Sequence, residues 1–255
     1  IKAVRVDGDL PAQPDDPAWD AAAPTTFFMV PQIVGKDRFF KTANDTISVR
    51  ALYNNDKISI HLEWDDRTKS IPGDAKAKSI AEEDLAEDAI AVQFPAALPK
   101  GMEKPYFLMG NAANPVNLWR WSSGATDKPE SAVIVDARGI GDQEIRSDAP
   151  GFTAKGDYKD GAWRVVMTRS LKTEMADKDL QIEEGRFIPF AVFAWDGSNG
   201  ESGTRHAMTT WYWLLLKPSA GSKPIIAAII AVLLVGGILL WWGRSAANRK
   251  DGTAP

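Results

Sequence analysis

The sequence predicts an all-β domain, an antiparallel β-sandwich, followed by one transmembrane helix near the C-terminus. Short segments with alternating apolar and polar residues recur along residues 1–217, and Gly, Asn, Asp and Pro separate them. This pattern is typical of antiparallel strands joined by turns. One uncharged segment, Pro224–Trp242, differs from everything else in the chain. We therefore predict a sandwich at 1–217, a linker at 218–223, a helix at 224–242 and a tail at 243–255.

The clearest strand signal is a hairpin formed by residues 47–53 and 57–64. The second of these strands has Ile58, Leu62 and other apolar residues on one face and Ser59, His61 and Glu63 on the other, so we expect His61 to be exposed. Helical signal before the C-terminal segment is limited to a turn or two. Further strands are predicted at 88–94, 105–110, 116–121, 131–137, 162–168, 187–195 and 206–216, and the short helix within 78–88.

The segment Pro224–Trp242 has the properties of a membrane span. As a helix it would be roughly 27 Å long, close to the hydrocarbon thickness of a bilayer, and a helix satisfies its own backbone in lipid. Arg244, Arg249 and Lys250 follow it, whereas only Lys223 lies just before it. The positive-inside rule then puts the tail in the cytoplasm and the sandwich outside. A buried core helix is the alternative, which so long an uncharged run disfavours.

Composition excludes several classes of protein. The chain carries −4, of which residues 224–255 contribute +2, so the remainder carries −6; this acidity argues against nucleic acid as a partner. The chain has no cysteine, which excludes disulfides, thiolate metal sites and covalent c-type haem. It begins at Ile1 with no basic-then-apolar leader, as expected after cleavage of an export signal or after trimming of the chain.

Residues typical of catalysis are few. His61 and His206 are the two histidines, and the sequence contains no GxSxG, HExxH, P-loop or GxGxxG motif. The turn WDGSNGE at 195–201 offers Asp196, Asn199 and Glu201 as oxygen ligands, but it lacks the spacing of an EF-hand loop. We interpret this turn as a hairpin connection. The sequence therefore gives no support to a hydrolase.

Two segments could hold a metal cofactor. PYFLMGN places Met109 at the end of a predicted strand, and GTRHAMTTWYW places His206 at the start of the last one. Imidazole and thioether form an axial pair for haem iron, with methionine raising the potential. Met208 is a poor partner for His206, because side chains two residues apart on a strand point the same way. A core methionine and a hydrogen-bonded histidine remain the alternative interpretation.

Dispersed segments resemble a known family. VDGDLPAQPDDPAWDAA, IHLEWDD, DAIAVQFP, PYFLMGN, NLWRW and AVFAWDGSNGESGTRHAMTTWYWLLL occur in this order across nearly all of residues 3–217. Together they resemble the haem-b-binding γ subunit of the ethylbenzene dehydrogenase and dimethylsulfide dehydrogenase group, a DOMON-like β-sandwich. The resemblance implies a methionine and a lysine as iron ligands and electron transfer from a molybdenum/iron–sulfur enzyme. It places Met109 at the family's methionine.

The second ligand departs from the family's pattern. The family's lysine follows the WDGSN turn, whereas this chain has no lysine between Lys178 and Lys217 and has Arg205 and His206 instead. Arginine stays protonated, so His206 is the predicted replacement. The DOMON cytochromes of fungal cellobiose dehydrogenases also use a histidine and a methionine. Arg205 is the candidate donor to the haem propionates. The membrane anchor is a second departure from the soluble members.

We therefore expect a membrane-anchored b-type cytochrome subunit that transfers electrons within a respiratory oxidoreductase complex and is not itself an enzyme. Non-covalent haem b would be held by Met109 and His206, with the bulk of the chain in the periplasm and the anchor in the inner membrane. The expected partner is a molybdenum/iron–sulfur oxidoreductase or a membrane cytochrome b complex. The main alternative is an anchored carbohydrate-binding sandwich, because VDG…PAW…A also resembles family 9 carbohydrate modules and ten tryptophans could stack on sugars. A structural anchor with a decayed haem site is the third possibility.

Overall fold

The computed structural model describes residues 1–35, 37–81, 84–99, 101, 103–125, 131–146, 148–218 and 223–251. The chain forms two compact units, Ile1–Lys217 and Pro218–Pro255. Much of the predicted linker, at 219–222, and the end of the predicted tail, at 252–255, lie outside the described residues.

Strands dominate the first unit, as the sequence predicts. Within the described residues they are β1 (Lys2–Arg5), β2 (Thr25–Phe28), β3 (Val30–Pro31), β4 (Thr46–Tyr53), β5 (Lys57–Asp65), β6 (Ala89–Pro95), β7 (Val116–Ser122), β8 (Ala132–Ala137), β9 (Gln143–Ile145), β10 (Thr153–Lys159), β11 (Ala162–Ser170), β12 (Phe187–Trp195), β13 (Ala207–Met208) and β14 (Tyr212–Leu216). One short helix, α1 (Ala75–Ile80), lies between β5 and β6.

The strands pair edge to edge in the order β10-β11-β5-β4-β1-β14-β12-β6-β7-β8-β9. Beside this path, β2 pairs with β4, and β13 pairs with both β12 and β3. Every pair among the described strands is antiparallel except those of β1, which runs parallel to β4 and to β14. The predicted antiparallel arrangement is therefore wrong at β1, whose residues join the two halves of the sheet. Because the sheet twists, β10 also contacts β7 and β8 across the core.

The main core lies between two layers, one containing β4, β5, β10 and β11, and the other containing β6, β7, β12 and β14. From β5, Ile58, Ile60, Leu62 and Trp64 face this core, as the alternation predicts. Trp121 of β7 and Trp163 of β11 meet edge to face, with ring centroids 4.8 Å apart. Burial of such apolar surface is the dominant favourable term in folding. The predicted β-sandwich is confirmed.

His61 is buried, so the prediction that it is exposed is wrong. Its side chain does lie on the predicted second face of β5, yet only 3% of it is exposed. Trp19, from a 3-10 turn at Pro17–Ala21, packs on the imidazole with ring centroids 5.1 Å apart. The N-terminal segment thus covers the outer face of the first layer. Alternation assigns residues to faces, but it does not tell which faces a distant segment will cover.

Two predicted strands differ from the structure. Residues 105–110 form a turn rather than a strand, because Met109 and Gly110 have positive φ angles of 63° and 71°. The predicted strand at 206–216 is interrupted, so that β13 and β14 are separate. The helix predicted within 78–88 lies earlier, at Ala75–Ile80, and residues 82 and 83 are outside the described part. The strands β1, β2, β3, β9 and β10 were not predicted.

Within its described residues, the second unit contains one helix, α2 (Lys223–Asp251). Between residues 227 and 242 its large side chains are aliphatic or tryptophan, and they are exposed. In the part of the chain that the structure describes, we find no helix with the length and hydropathy needed to span a membrane.

Candidate functional site

The second layer of the sandwich is apolar on both faces. In β12, Phe190 and Val192 point into the main core, whereas Phe193 and Trp195 point to the outer face. This explains why the β12 sequence is almost uniformly apolar rather than alternating. The outer face carries a second cluster, which we call the outer cluster. Its buried members are Ala89, Ala91, Leu108, Met109, Val116, Leu118, Val135, Ala137, Ala191, Phe193, Trp195, Met208 and Trp211.

Met109 belongs to the outer cluster and is 1% exposed. It lies in a tight turn closed by the N–H of Gly110, which donates to the carbonyl of Tyr106 at 2.8 Å. Trp211 Nε1 donates to the carbonyl of Pro105 at 2.9 Å and holds the turn against the segment after β13. The left-handed backbone of Met109 costs free energy for a residue with a side chain. The fold therefore enforces the position of this thioether.

His206 lies at the other side of the same region, just before β13. Its side chain is fully buried and packs on the rings of Phe193 and Trp195, with centroids 5.1 and 5.3 Å away. Nδ1 lies 3.4 Å from the carbonyl oxygen of Gly203, which also accepts a hydrogen bond from Trp195 Nε1 at 3.0 Å. A proton on Nδ1 can therefore be shared with this carbonyl. Nε2 is buried and has no hydrogen-bond partner among the described residues.

The protonation of His206 follows from this environment. Burial lowers the pKa of His206 to about 4, so the imidazole is neutral at pH 7. With Nδ1 as the donor, Nε2 carries the free lone pair. A buried acceptor without a partner costs about 1–3 kcal/mol. A metal ion bound at Nε2 would remove this cost, so a neutral imidazole in this environment is suited to be a metal ligand.

Met109 and His206 are connected through the outer cluster. The His206 ring contacts Phe193 and Trp195, and both of these belong to the outer cluster that contains Met109. Met208 belongs to this cluster as well and is also buried. The region therefore offers one imidazole nitrogen and two thioethers within largely apolar surroundings.

Arg205 lies beside this region and is half-buried. Its guanidinium is 5.0 Å above the ring of Phe39, and its backbone N–H donates to the carbonyl of Ser202 at 3.0 Å. Arg120 is a second cation there, which sequence analysis missed: its guanidinium lies 5.6 Å from the centroid of the Trp195 ring. Burial lowers the pKa of Arg120, and nearby Glu87 opposes this effect. The sequence contained one indication of this position: Arg120 lies two residues after Leu118, so the two side chains share the face of β7 that carries the outer cluster.

An apolar cavity of about 290 Å³ opens next to the outer cluster. Leu108 and Met208 belong both to the cluster and to the lining of this cavity. On its outer side Val30, Ile33 and Val34 are 56%, 48% and 53% exposed, which is unusual for adjacent aliphatic side chains. The volume is close to the lower end of the range for small-molecule pockets.

The turn at 195–201 is a hairpin connection between β12 and β13, as interpreted from the sequence. Asp196 accepts hydrogen bonds from the N–H groups of Ser198 and Asn199. Glu201 accepts from the N–H of Ala43 at 3.1 Å and from the Asn199 amide at 2.9 Å. Burial raises the pKa of Glu201 to about 7. These contacts fix the connection that leads to His206.

The fold and site define a β-sandwich with a neutral histidine and two methionines gathered on the outer face of one layer. The chain belongs to the ethylbenzene dehydrogenase family, whose model matches residues 16–155 and 133–207. Membership of this family, which the dispersed segments predicted, is thus confirmed.

Two curated relatives have informative names. The chain is 25% identical over 226 residues to the "putative respiratory nitrate reductase heme subunit ORF7" of Haloferax mediterranei, with 85% of this chain and 72% of the relative covered. It is also 25% identical over 217 residues to "chlorate reductase subunit gamma" of Ideonella dechloratans, with 84% and 83% covered.

Two solved structures align with most of the chain at low sequence identity. A family 9 carbohydrate-binding module from Caldicellulosiruptor kristjanssonii, in complex with glucose, aligns with a TM-score of 0.44 and 9% identity over 87% of this chain and 97% of that one. A putative carbohydrate-binding protein from Bacteroides uniformis aligns with a TM-score of 0.48 and 12% identity over 86% and 92%.

Proposed function

We propose that this protein is the haem b subunit of a respiratory reductase complex and that Met109 and His206 would hold the haem iron. The observation that carries the proposal is Nε2 of His206, which is buried without a hydrogen-bond partner among the described residues. Family membership supports it, as do relatives that are named as a nitrate reductase heme subunit and a chlorate reductase γ subunit. The absence of cysteine from the sequence requires haem bound without thioether links.

The chain's own residues would bind and orient the cofactor. The carbonyl of Gly203 accepts from Nδ1 of His206, which fixes the tautomer and would leave the lone pair of Nε2 for the haem iron. Trp195 holds the same carbonyl and packs on the imidazole. Met109 supplies a neutral thioether from a turn with an enforced backbone. When bound, haem supplies a one-electron carrier, and the apolar surroundings exclude water from it.

Two arginines could neutralise the haem propionates. Arg205 precedes the proposed ligand and lies over Phe39, and Arg120 lies over Trp195. A guanidinium can donate two parallel hydrogen bonds to one carboxylate. We propose Arg205 as the principal donor because it stands at the edge of the site, half-exposed to solvent. Substitution of Arg205 with Ala should shift the midpoint potential or weaken haem retention, and unchanged values of both would contradict this role.

The partners and the location follow from the same proposal. The protein would pass electrons to or from a molybdenum/iron–sulfur oxidoreductase or a membrane cytochrome b complex. The reaction of the substrate would be catalysed by another subunit of the complex. We propose a periplasmic sandwich anchored in the inner membrane by residues 224–242. The uncharged sequence of that segment and the basic residues after it support the anchor.

A visible spectrum of the purified full chain tests the proposal directly. We expect a Soret band and split α and β bands in the reduced form, as in low-spin haem. Met109→Ala should leave a five-coordinate, high-spin haem, whereas His206→Ala should remove most of the haem. Met208→Leu is the matched control, because it deletes a thioether from the same cluster and should leave the low-spin spectrum unchanged.

Other outcomes would identify an alternative. If Met208→Leu, rather than Met109→Ala, gives the high-spin spectrum, haem is bound but the thioether is assigned wrongly. If the wild-type chain retains no haem after reconstitution with hemin, the cytochrome proposal fails. Binding of soluble oligosaccharides by that haem-free chain would then favour the carbohydrate-binding alternative, and its absence would favour a structural anchor subunit.

A further inference from the structure

Three aspartates meet inside the sandwich, away from the outer cluster. Asp66 follows β5, Asp88 precedes β6 and Asp196 follows β12, so the three come from both layers. All three are buried. One carboxylate oxygen from each lies within 4.8 Å of those from the other two. Three like charges so close together in a buried place require either protons or a cation.

The surrounding groups favour ionised carboxylates. The two oxygens of Asp88 accept from Ser70 N at 2.6 Å, from Trp163 Nε1 at 2.8 Å and from Gly197 N at 2.9 Å. Each of these donors keeps its proton, and hydrogen bonds from such donors stabilise the charged form of a carboxylate. The Oδ1 atom of Asp196 likewise accepts from two backbone N–H groups and a hydroxyl of its own turn.

Asp66 provides an independent indication of a ligand site. Its Oδ1 accepts from the N–H of Thr68 at 3.0 Å, whereas its Oδ2 is buried with no hydrogen-bond partner among the described residues. The side chain is 4% exposed, so water from the bulk does not satisfy that oxygen. The Trp64 indole lies close enough to favour the charged form, but the two groups make no hydrogen bond of acceptable geometry.

We propose that Asp66, Asp88 and Asp196 bind one divalent cation with the oxygen preference of Ca²⁺. A Ca–O bond is about 2.4 Å long, so two oxygens on opposite sides of one ion are about 4.8 Å apart. The three carboxylate oxygens lie within this limit, as ligands of one ion must. Carbonyl oxygens or water would complete a coordination shell of six to eight oxygens.

Electrostatics gives the proposed cation a structural role. Without it, burial first and the neighbouring aspartates second raise the pKa of Asp66 to about 8. Burial raises the pKa of Asp88 to about 7 in the same way. A divalent charge removes most of this repulsion. Because the ligands come from the ends of β5, β6 and β12, the ion would link the two layers at one edge of the sandwich.

Metal binding can be measured on the full chain as purified and after treatment with EDTA. We expect stoichiometric calcium by elemental analysis and heat on titration of the stripped protein with CaCl₂. The midpoint temperature of thermal unfolding should rise by about 5–10 °C when the free Ca²⁺ concentration exceeds the Kd a hundredfold. Mg²⁺ should give a smaller shift, because it prefers an octahedral shell with shorter bonds.

Asp66→Asn should abolish the shift with Ca²⁺, and Asp65→Asn, at the exposed neighbouring position, should retain it. If Asp66→Asn fails to fold, Asp196→Asn and the metal content of the wild-type chain decide the matter. A wild-type chain with no bound calcium, no heat and no shift would overturn the proposal and leave protonated carboxyls as the explanation. An equal shift with Mg²⁺ would overturn the preference for calcium. Because the readouts are metal content and unfolding, they do not depend on haem.

Discussion

Asp179 is as buried as the three clustered aspartates, but its carboxylate is fully engaged. Arg146 donates to it at 2.7 Å, Arg169 donates to its other oxygen, and the Thr173 hydroxyl donates at 2.9 Å. Arg146 also pairs with Asp136. At the scale of single residues, the two arginines and the hydroxyl satisfy the Asp179 carboxylate, which accounts for its burial without a ligand. Nε2 of His206 and Oδ2 of Asp66 have no such partner among the described residues, and each lies beside other potential ligand groups, which is why we assign ligands to them.

Asp179→Ala should be strongly destabilising, because it leaves Arg146 and Arg169 buried without their shared partner. We expect the free energy of unfolding to fall by about 3–5 kcal/mol in urea denaturation. The control is Asp177→Ala, which changes an exposed carboxylate two residues away and should cost less than about 0.5 kcal/mol. Equal effects of the two substitutions would contradict the role of the buried network.

His61 should make stability depend on pH below neutrality. Burial, and to a smaller degree the charges of Arg50 and Arg164, lower the pKa of His61 to about 4, against an opposing effect of Glu63. Between about pH 6.5 and pH 4 the unfolded chain therefore binds a proton that the folded chain does not. Stability from this group is present above pH 6.5 and declines as pH falls, by up to about 3 kcal/mol.

The measurement is the difference in free energy of unfolding between the wild-type chain and His61→Gln, taken from pH 7.5 down to pH 4.5. The advantage of the wild type should shrink over this range. The raised pKa values of Asp66 and Asp88 act in the opposite direction, but they are common to both proteins and cancel in the difference. If the difference in the free energy of unfolding does not change with pH, His61 has the same pKa in the folded and unfolded chains, which would contradict the prediction.

At the scale of elements, periodicity predicted those strands whose side chains are strongly apolar or alternate cleanly. The β4–β5 hairpin and the strands β6, β7, β8, β11 and β12 were found in this way, within a few residues. β10 was missed because TAKGDYK is polar and contains a glycine, which weakens a strand signal. The turn around Met109 was predicted as a strand because its apolar residues cover the outer cluster. The aspartates at 66, 88 and 196 could not be grouped from sequence, since only the sheet order brings their strand ends together.

Gly156 of β10 shows why that strand contains a glycine. A Cβ atom at this position would lie 2.2 Å from a ring carbon of Trp121, which belongs to the opposite layer. The indole is fully buried and cannot move aside cheaply. Gly156→Ala should therefore lower the free energy of unfolding by about 1–3 kcal/mol. Gly141→Ala is the control, because nothing lies within 4 Å of its added Cβ, and calorimetry of the two variants should separate them clearly.

At the scale of the whole molecule, charge and hydropathy divide the chain as the proposed function requires. The part before residue 224 carries a net charge of −6, and the segment that follows is uncharged up to its basic end. The first unit has its own hydrophobic core, and its described strands pair with one another. We therefore expect a fragment ending at Lys217 to be soluble, to retain haem and to give a β-dominated circular dichroism spectrum. A strongly helical spectrum would contradict the fold.

The orientation of the full chain in a membrane is the prediction that depends on all of these properties together. If residues 224–242 span the inner membrane, Arg244, Arg249 and Lys250 should remain in the cytoplasm, where the positive-inside rule places them. Protease added to intact spheroplasts should then digest the sandwich and leave a C-terminal tag protected. Lysis before protease treatment is the control and should expose the tag. Digestion of the tag in intact spheroplasts would reverse the orientation. Release of the full chain by a high-salt wash would show that the segment does not anchor it, because salt does not extract an inserted helix from the bilayer.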